Sequence, residues 1–400
     1  MSVSDKFSPN QPMSIAVFIP TWKACSEAWA HRMLEILEPE IVIIVGEDIP
    51  ETWRGIPCFS LNSTRPHPGF VERQIRKIRK RFSPPPTEID RLRTVLSDKG
   101  VDTVLIHYAN FAIKMRDVWH GIRNIYVHCH GVDVSIDGRS SEWPHAHIHA
   151  HDYSSQLLAI ADQVQWIANS RHTEGVLVKL GISRERIHLK YFGVPLPPLR
   201  ADPSEAADQS QPHLRCLCLG RMIDCKGPDL MIQSFLEAKS RGFSGSLVMA
   251  GDGPLLTACE LLAARSEFAE SITFLGEVNP EDTPEIYSSS DLFLSFHCTG
   301  PLTNRVEAFG VTLLEAMAHG LPVITAESGG VSDSVQDGET GYFISPGDTD
   351  EFADRLLALD QDRNELHRLS MNARQHVEDH FSLEAERAQL VRILQIDEGV

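Results

Sequence analysis

Short apolar runs separated by longer stretches of helical period set the rhythm of this chain. Ser14-Ile-Ala-Val-Phe-Ile-Pro20, Glu40 to Gly46, Thr103 to Tyr108 and Ile125 to Cys129 have the length and β-branched or aromatic content of buried strands. Between them, Ser26 can cap a helix that runs to about Leu37, and Glu88 to Lys99 reads as another. Gln165 to Ser170 and Ile187 to Phe192 continue the strands, with Arg171 to Gly181 a helix closed by its glycine. The rhythm resumes with strands at Leu214 to Leu219, Ser246 to Ala250, near Phe274, at Asp291 to Ser295, Pro322 to Thr325 and Tyr342 to Ile344. Two helices are then expected, the second over about Leu383 to Leu394. Buried strands that alternate with helices imply parallel sheets covered on both faces, hence an α/β protein.

With 400 residues, the chain is too long for a single core and suits two lobes of about 200 residues each. The Pro, Ala, Asp, Ser and Gln-rich stretch before Leu214 divides them. The expected plan is a disordered leader at 1–13, a first doubly wound lobe at 14–196, a linker at 197–212, a second at 213–381, and a helix within 382–400 that packs back on the first. The polar start reads as a short leader rather than a signal peptide, and the longest apolar run, near Ile41 to Val45, is too short to span a bilayer. Eight cysteines without a C-x2-C pair point to reduced, buried thiols, as in a cytoplasmic protein.

Charge changes the picture more than composition does. The net charge is −18, yet residues 1–200 hold 24 Lys+Arg against 21 Asp+Glu, and residues 201–400 hold 13 against 34. The two lobes therefore have different electrostatic tasks. Six of the basic residues cluster in Phe70-Val-Glu-Arg-Gln-Ile-Arg-Lys-Ile-Arg-Lys-Arg-Phe82, with apolar residues at roughly helical spacing. Such a segment can lie on an anionic membrane surface or be a solvated helix face. An acidic chain with no nucleic-acid fold signature is not expected to bind nucleic acid.

The candidate chemistry centres on Glu307-Ala-Phe-Gly-Val-Thr-Leu-Leu-Glu315. Gly310 opens an apolar helix that ends at Gly320, so Glu315 falls in its first turns and Glu307 on the preceding loop. The uncapped amides and positive dipole end between them suit an anion such as a diphosphate. Arg221 and Lys226, five residues apart on the loop after Leu219, offer a planar fork and a point charge for two phosphate groups. A strand also delivers His130, Gly131 and Asp133 to its C-terminal end, where ligands bind in open parallel sheets. No metal is expected. His145, His147, His149 and His151 form two i,i+4 pairs that diverge on a helix, so polar lining of a cleft or a solvated face is favoured, and Asp348-x-Asp350 sits at a helix start and reads as a cap.

The second-lobe sequence, with Gly220-Arg221-x4-Lys226-Gly, Gly251-Asp-Gly253-Pro, E-A-F-G, L-L-E-A-M-A and Ser328-Gly-Gly330, resembles the retaining, nucleotide-sugar-dependent glycosyltransferases of family 4. The Pro20-x5-Ser26-Glu27-x-Trp29 opening is similar to that of colanic-acid and exopolysaccharide types. The resemblance implies the GT-B fold, two Rossmann-like domains facing each other across a cleft. It implies a hexosyltransferase that needs no metal or cofactor and takes a UDP- or GDP-linked sugar to a saccharide or lipid-linked acceptor in surface-glycan synthesis. Gly251, Gly253, Gly276 and Val278 would flank the nucleobase, and Glu315 would accept the ribose hydroxyls. Glu307 would hold the sugar with the amides of Phe309 and Gly310, beside Val311 and Thr312 at the helix start. His130 would face the transferred sugar from the other wall, with Gly131, Asp133, Ser26 and Glu27 on the acceptor side. Pro195 stands where the family's Gly-Val-Asp junction has its aspartate. A nucleotide-sugar epimerase, a phosphorylase or a non-catalytic nucleotide-sugar-binding protein on the same fold is the alternative. The expected location is the cytoplasm, with peripheral contact at the inner face of the membrane through residues 70–82 as the open alternative to a solvated helix face.

Overall fold

The structure, a computed structural model, describes residues 13–22, 28–61, 87–134, 150–198 and 213–397. Ser26 and Glu27, the basic segment 70–82, the histidines from His145 to His149 and most of the expected leader and linker lie outside the described residues, as does the side chain of His151.

The first lobe is one eight-stranded sheet. Its strands are β1 (Ile15–Ile19), β2 (Ile41–Gly46), β3 (Thr52–Trp53), β4 (Ile56–Ser60), β5 (Thr103–His107), β6 (Asn124–Cys129), β7 (Gln165–Ala168) and β8 (Ile187–Leu189), in the order β3-β4-β2-β1-β5-β6-β7-β8. The helices α1 (Ala28–Ile36), α2 (Glu88–Asp98), α3 (Ala109–Lys114), α4 (Arg116–Trp119), α5 (Ala150–Ile160) and α6 (Arg171–Lys179) connect them. All five residues of β1 are buried, as a strand covered on both faces requires. Thr87 and Asp90 form a reciprocal capping box that starts α2. The β3–β4 pair is antiparallel and was not anticipated: Arg54 and Gly55 both have positive φ, the geometry of a tight hairpin turn. An Arg at a position that favours Asn or Asp concealed the turn.

The second lobe is a six-stranded parallel sheet of β9 (Arg215–Leu219), β10 (Ser246–Ala250), β11 (Ile272–Gly276), β12 (Leu292–Ser295), β13 (Val323–Ala326) and β14 (Gly341–Ile344), ordered β11-β10-β9-β12-β13-β14. Its helices are α7 (Pro228–Ser240), α8 (Leu256–Ala264), α9 (Thr283–Ser288), α10 (Val311–Ala318), α11 (Thr349–Gln361) and α12 (Arg363–His380), and α13 (Leu383–Leu394) follows. The order reverses beside β9, which opens a crevice between the C-terminal ends of β9 and β12. Three helices, not two, follow the last strand. Asp362 leaves helical geometry, and its carboxylate accepts the Glu365 amide at 3.0 Å to start α12. Asp348 accepts the Glu351 amide at 2.9 Å, so Asp348-x-Asp350 is a helix cap.

The lobes join where the chain crosses twice. Val194 donates its amide to Phe381 at 2.8 Å, and Tyr191 donates to the Gln389 side chain at 2.8 Å. Helix α13 then lies on the first lobe, where Arg387 meets Glu40 at 2.9 Å. Beside this crossing Lys190 and Glu386 form an ion pair, 0% and 2% exposed, and the second Glu386 oxygen accepts the Gly193 amide at 2.8 Å. Burial lowers the Lys190 pKa while Glu386 opposes the fall. Removing one partner of such a pair leaves an uncompensated buried charge. Lys190→Met should therefore destabilise the protein by about 3–5 kcal/mol in guanidinium unfolding. Adding Glu386→Gln, which keeps an acceptor for Gly193, should restore most of that loss; a double variant as unstable as the single one would contradict the account.

Candidate functional site

The floor of the cleft is the loop that leaves β9. Gly220 donates to Ala250, Met222 to Asp252 and Gly251 to Gly276, at 2.9, 2.8 and 2.7 Å, so the exits of β9, β10 and β11 are tied together. A Cβ on Gly251 would lie 1.9 Å from the Gly220 carbonyl oxygen, and only a glycine permits that approach. The buried Asp224 shapes the rest of the loop. Its carboxylate accepts the amides of Cys225, Leu302 and Thr303 at 2.9 to 3.0 Å, which pins the 300–305 loop over Lys226.

Lys226 pairs with Glu307. The other Glu307 oxygen accepts the amides of Gly310 at 3.1 Å and Phe309 at 3.4 Å. His297 brings Nε2 to 3.6 Å from Glu307 and 3.5 Å from Lys226, while its Nδ1 meets the Thr325 hydroxyl at 3.0 Å. A small depression lies beside these groups; Gly220, Arg221, Lys226, His297 and Thr312 line it. Arg221 is exposed at its rim and makes no ion pair among the described residues. Helix α10 starts behind a left-handed Gly310 with no side-chain cap, so its dipole is offered to the same pocket.

Burial alone would raise the Glu307 pKa, but the Lys226 ammonium, His297 and the Phe309 amide outweigh it and hold the carboxyl at about 2. His297 is carried the other way, to about 3, by burial and then by Lys226, so it stays a neutral imidazole. The loop that carries Glu307 runs over Gly329 and Gly330. A Cβ on either would sit about 2 Å from the carbonyl oxygens of Glu307 and Ala308 (2.0 and 1.8 Å), which explains the Ser-Gly-Gly sequence.

Phe309 points away from the pocket. It is 1% exposed and stacks on Tyr191 at 5.6 Å, against Phe192 and Phe381, so only its amide faces the site. Glu315, on the second turn of α10, is engaged by two groups that sequence reasoning missed. Arg32 of α1 donates to Oε1 at 2.6 Å and Tyr287 of α9 to Oε2 at 3.1 Å. Gly253, Gly276 and Val278 border the tied strand exits, and Val311 and Thr312 form the first turn of α10.

The opposite wall is built by Asp133. Its buried carboxylate accepts the amides of His130 and Ala109, both at 2.8 Å, and its carbonyl accepts the Tyr153 hydroxyl at 2.6 Å. Burial raises its pKa to about 6 against the pull of those amides. His130 is thereby held stacked on Trp29, with centroids 4.1 Å apart, and its Nε2 lies 3.0 Å from His107 Nδ1. Gly131 has positive φ, and a Cβ there would be 2.3 Å from Ala308 Cβ. The two walls touch at that point. Asp333 adds a further link by accepting the Arg171 amide at the start of α6.

His297 stands two residues past β12, the strand end where a ligand group is expected, and that position was its signal. Arg32 is 283 residues from Glu315 and Glu386 is 193 from Gly193, and no local pattern marks either.

The model of the family described as glycosyl transferases group 1 matches residues 206–376. A GDP-mannose-dependent alpha-(1-6)-phosphatidylinositol monomannoside mannosyltransferase of Mycobacterium tuberculosis is 28% identical over 212 residues, 52% of this chain and 55% of the relative. The chain thus spans about half the length of that relative. The amylovoran biosynthesis glycosyltransferase AmsK of Erwinia amylovora is 25% identical over 266 residues, 66% of this chain and 62% of the relative. Among solved structures, Anabaena HepE in complex with UDP superposes with a TM-score of 0.74 at 16% identity, covering 96% of this chain and all of that one, which shows the GT-B fold.

The depressed Glu307 pKa has a consequence for stability. Because the folded value lies below the ordinary 4.5, the Glu307 network stabilises the fold above about pH 4.5, and that stabilisation is lost as pH falls toward 2. Glu307→Gln should lower stability at neutral pH by on the order of 2–3 kcal/mol, with the gap to wild type closing as the pH is lowered. A gap independent of pH in acid titration would show that the carboxylate charge is not what holds the loop.

Proposed function

We propose, for a chain whose second lobe belongs to the group 1 glycosyltransferases, that it moves a hexose-type sugar from a UDP- or GDP-linked donor to a saccharide or lipid-linked acceptor in surface-glycan or exopolysaccharide synthesis. The observation that carries the reading is the pocket walled by Arg221, Lys226, His297 and the uncapped start of α10. Cleavage of a sugar–diphosphate bond builds negative charge on the departing phosphate, so fixed positive groups there lower the barrier. In this reading Arg221, Lys226 and the helix dipole meet that charge without a metal.

Lys226 has two roles in sequence. It rests on Glu307 when no phosphate is present and turns to the phosphate when donor enters. Glu307, kept ionised, is then released to accept the sugar hydroxyls. Glu315 takes the ribose, for which Arg32 and Tyr287 must give up or share its oxygens. His130 faces the sugar from the first lobe, fixed by Trp29 and by the Asp133 bond to its amide. Retention of configuration follows if the acceptor oxygen attacks the front face: the bond from the anomeric carbon to the phosphate breaks, the bond to the acceptor oxygen forms, and the acceptor proton passes to the departing phosphate oxygen.

A mannosyltransferase named for GDP-mannose and a structure solved with UDP leave the base to experiment. A nucleotide that binds only the folded state raises its melting temperature, by about 2.7 kcal/mol of stability at a hundredfold excess over Kd. UDP or GDP should produce that rise, Lys226→Ala should remove it, and Glu307→Ala should abolish transfer while keeping most of it. No rise with either nucleotide would sink the proposal.

No helix among the described residues is long and apolar enough to cross a membrane. We propose that residues 70–82 instead hold the protein to an anionic surface on the cytoplasmic side. Co-sedimentation with vesicles should need anionic lipid and weaken when Arg76, Lys77, Arg79 and Lys80 are replaced by Gln; binding indifferent to those changes would refute it.

A further inference from the structure

Beneath His130, which the sugar-transfer reading sets at the sugar, the first lobe buries two further histidines that this reading does not use. His107 ends β5 and His128 lies in β6, and the two are register partners on adjacent parallel strands. His130 follows two residues after His128. One ligand nitrogen from each of the three imidazoles lies within 4.8 Å of the others, and His107 Nδ1 and His130 Nε2 are 3.0 Å apart. A tetrahedral ion with bonds of about 2.0–2.1 Å holds its ligand nitrogens about 3.3 Å apart, so one pair is close to that spacing already.

Hydrogen bonding leaves the set incomplete. His128 is 0% exposed, and neither of its ring nitrogens has a partner among the described residues; His107, also 0% exposed, leaves Nε2 without one. An unpaired buried polar group costs about 1–3 kcal/mol, and three such atoms side by side call for an explanation. Trp29 and Phe192 pack around the cluster and exclude other donors. His130 is only partly buried, which leaves an approach from the cleft.

We propose that His107, His128 and His130 bind a divalent transition ion of the zinc class. Imidazole suits Zn²⁺, Co²⁺ and Ni²⁺, and three protein nitrogens leave at least one position for an oxygen from water or substrate. The backbone already fixes the three positions, because β5 and β6 are paired in register and the Asp133 carboxylate fixes the loop at His130. The charged groups facing the cluster are Lys190 and its partner Glu386, which together carry no net charge, and the Asp133 carboxylate. The site shares His130 with the sugar-facing wall of the proposed reading but none of the residues that line the phosphate pocket, and its existence does not depend on the transfer reaction.

The test uses the full chain without a histidine tag, stripped with a chelator and titrated with Zn²⁺ by calorimetry and with Co²⁺ by visible absorption. The chain has 18 histidines, so two controls are needed. One replaces His145, His147, His149 and His151 with Gln, and the other is His128→Leu, with His107→Leu as a second variant should that one not fold. Wild type and the Gln variant should bind one equivalent, give the intense Co²⁺ bands of tetrahedral coordination, and melt at a higher temperature with Zn²⁺. His128→Leu should bind at least about 100-fold more weakly. Its melting temperature without metal should equal or exceed that of wild type, because two unpaired nitrogens are gone. No binding by wild type, binding unchanged in both Leu variants, or binding lost only in the Gln variant would overturn the proposal.

Discussion

Glu307 can keep its charge at depth because the Lys226 ammonium and the amides that open α10 converge on it, beside the edge of the neutral His297. Each belongs to a different stretch of chain. Lys226 comes from the β9 exit, His297 from the β12 exit, and the amides from the loop that follows. The carboxylate is therefore the point at which the strand order reversal of the second lobe is converted into a binding surface. The charge adds to the Gly330 amide bond to the Glu307 carbonyl in holding the 307–310 loop over Gly329 and Gly330, and the loop is what brings Ala308 against Gly131 and Phe309 against Tyr191. One of the contacts between the lobes thus adjoins a charge at the centre of the site.

That arrangement links binding to closure in a way neither lobe could achieve alone. Glu315, a candidate for ribose, is held by an arginine from the first lobe. Asp333 of the second lobe caps a first-lobe helix. A ligand that engages Glu307 and Glu315 acts on groups that also hold the lobes together, so occupancy and closure are balanced within the same few side chains.

Apart from β3 and β4, both sheets were legible in the sequence because each of their other strands is a contiguous apolar run that needs no knowledge of its neighbours. The same is true of Arg221, Lys226, Glu307 and His130, which sit at strand or helix ends within recognisable local spacing. Arg32, Tyr287, Lys190 and Glu386 were not legible. Each is a lone polar residue on an otherwise ordinary helix or strand end, and its role exists only once distant segments meet. Phe309 shows the limit from the other side. Its place in the motif suggested a part in binding, whereas its ring fills the seam between lobes and only its backbone faces the pocket. The short β3–β4 hairpin escaped because its turn uses Arg where Asn or Asp is usual. The extra break at Asp362 escaped because a single residue separates two helices of similar composition.

The double crossing of the chain between lobes limits how they can move. Val194 and Phe381 are hydrogen-bonded to each other, so the two crossing strands lie side by side rather than at opposite ends of the seam. Two adjacent tethers define a line, about which a relative motion of the lobes would be a rotation rather than a slide. The Lys190–Glu386 pair lies next to that line, where displacement on rotation is least. A buried charge pair is tolerable at such a place because it need not be broken and remade with each opening. The buried pair keeps water from that line, whereas the contacts of the cleft are more exposed.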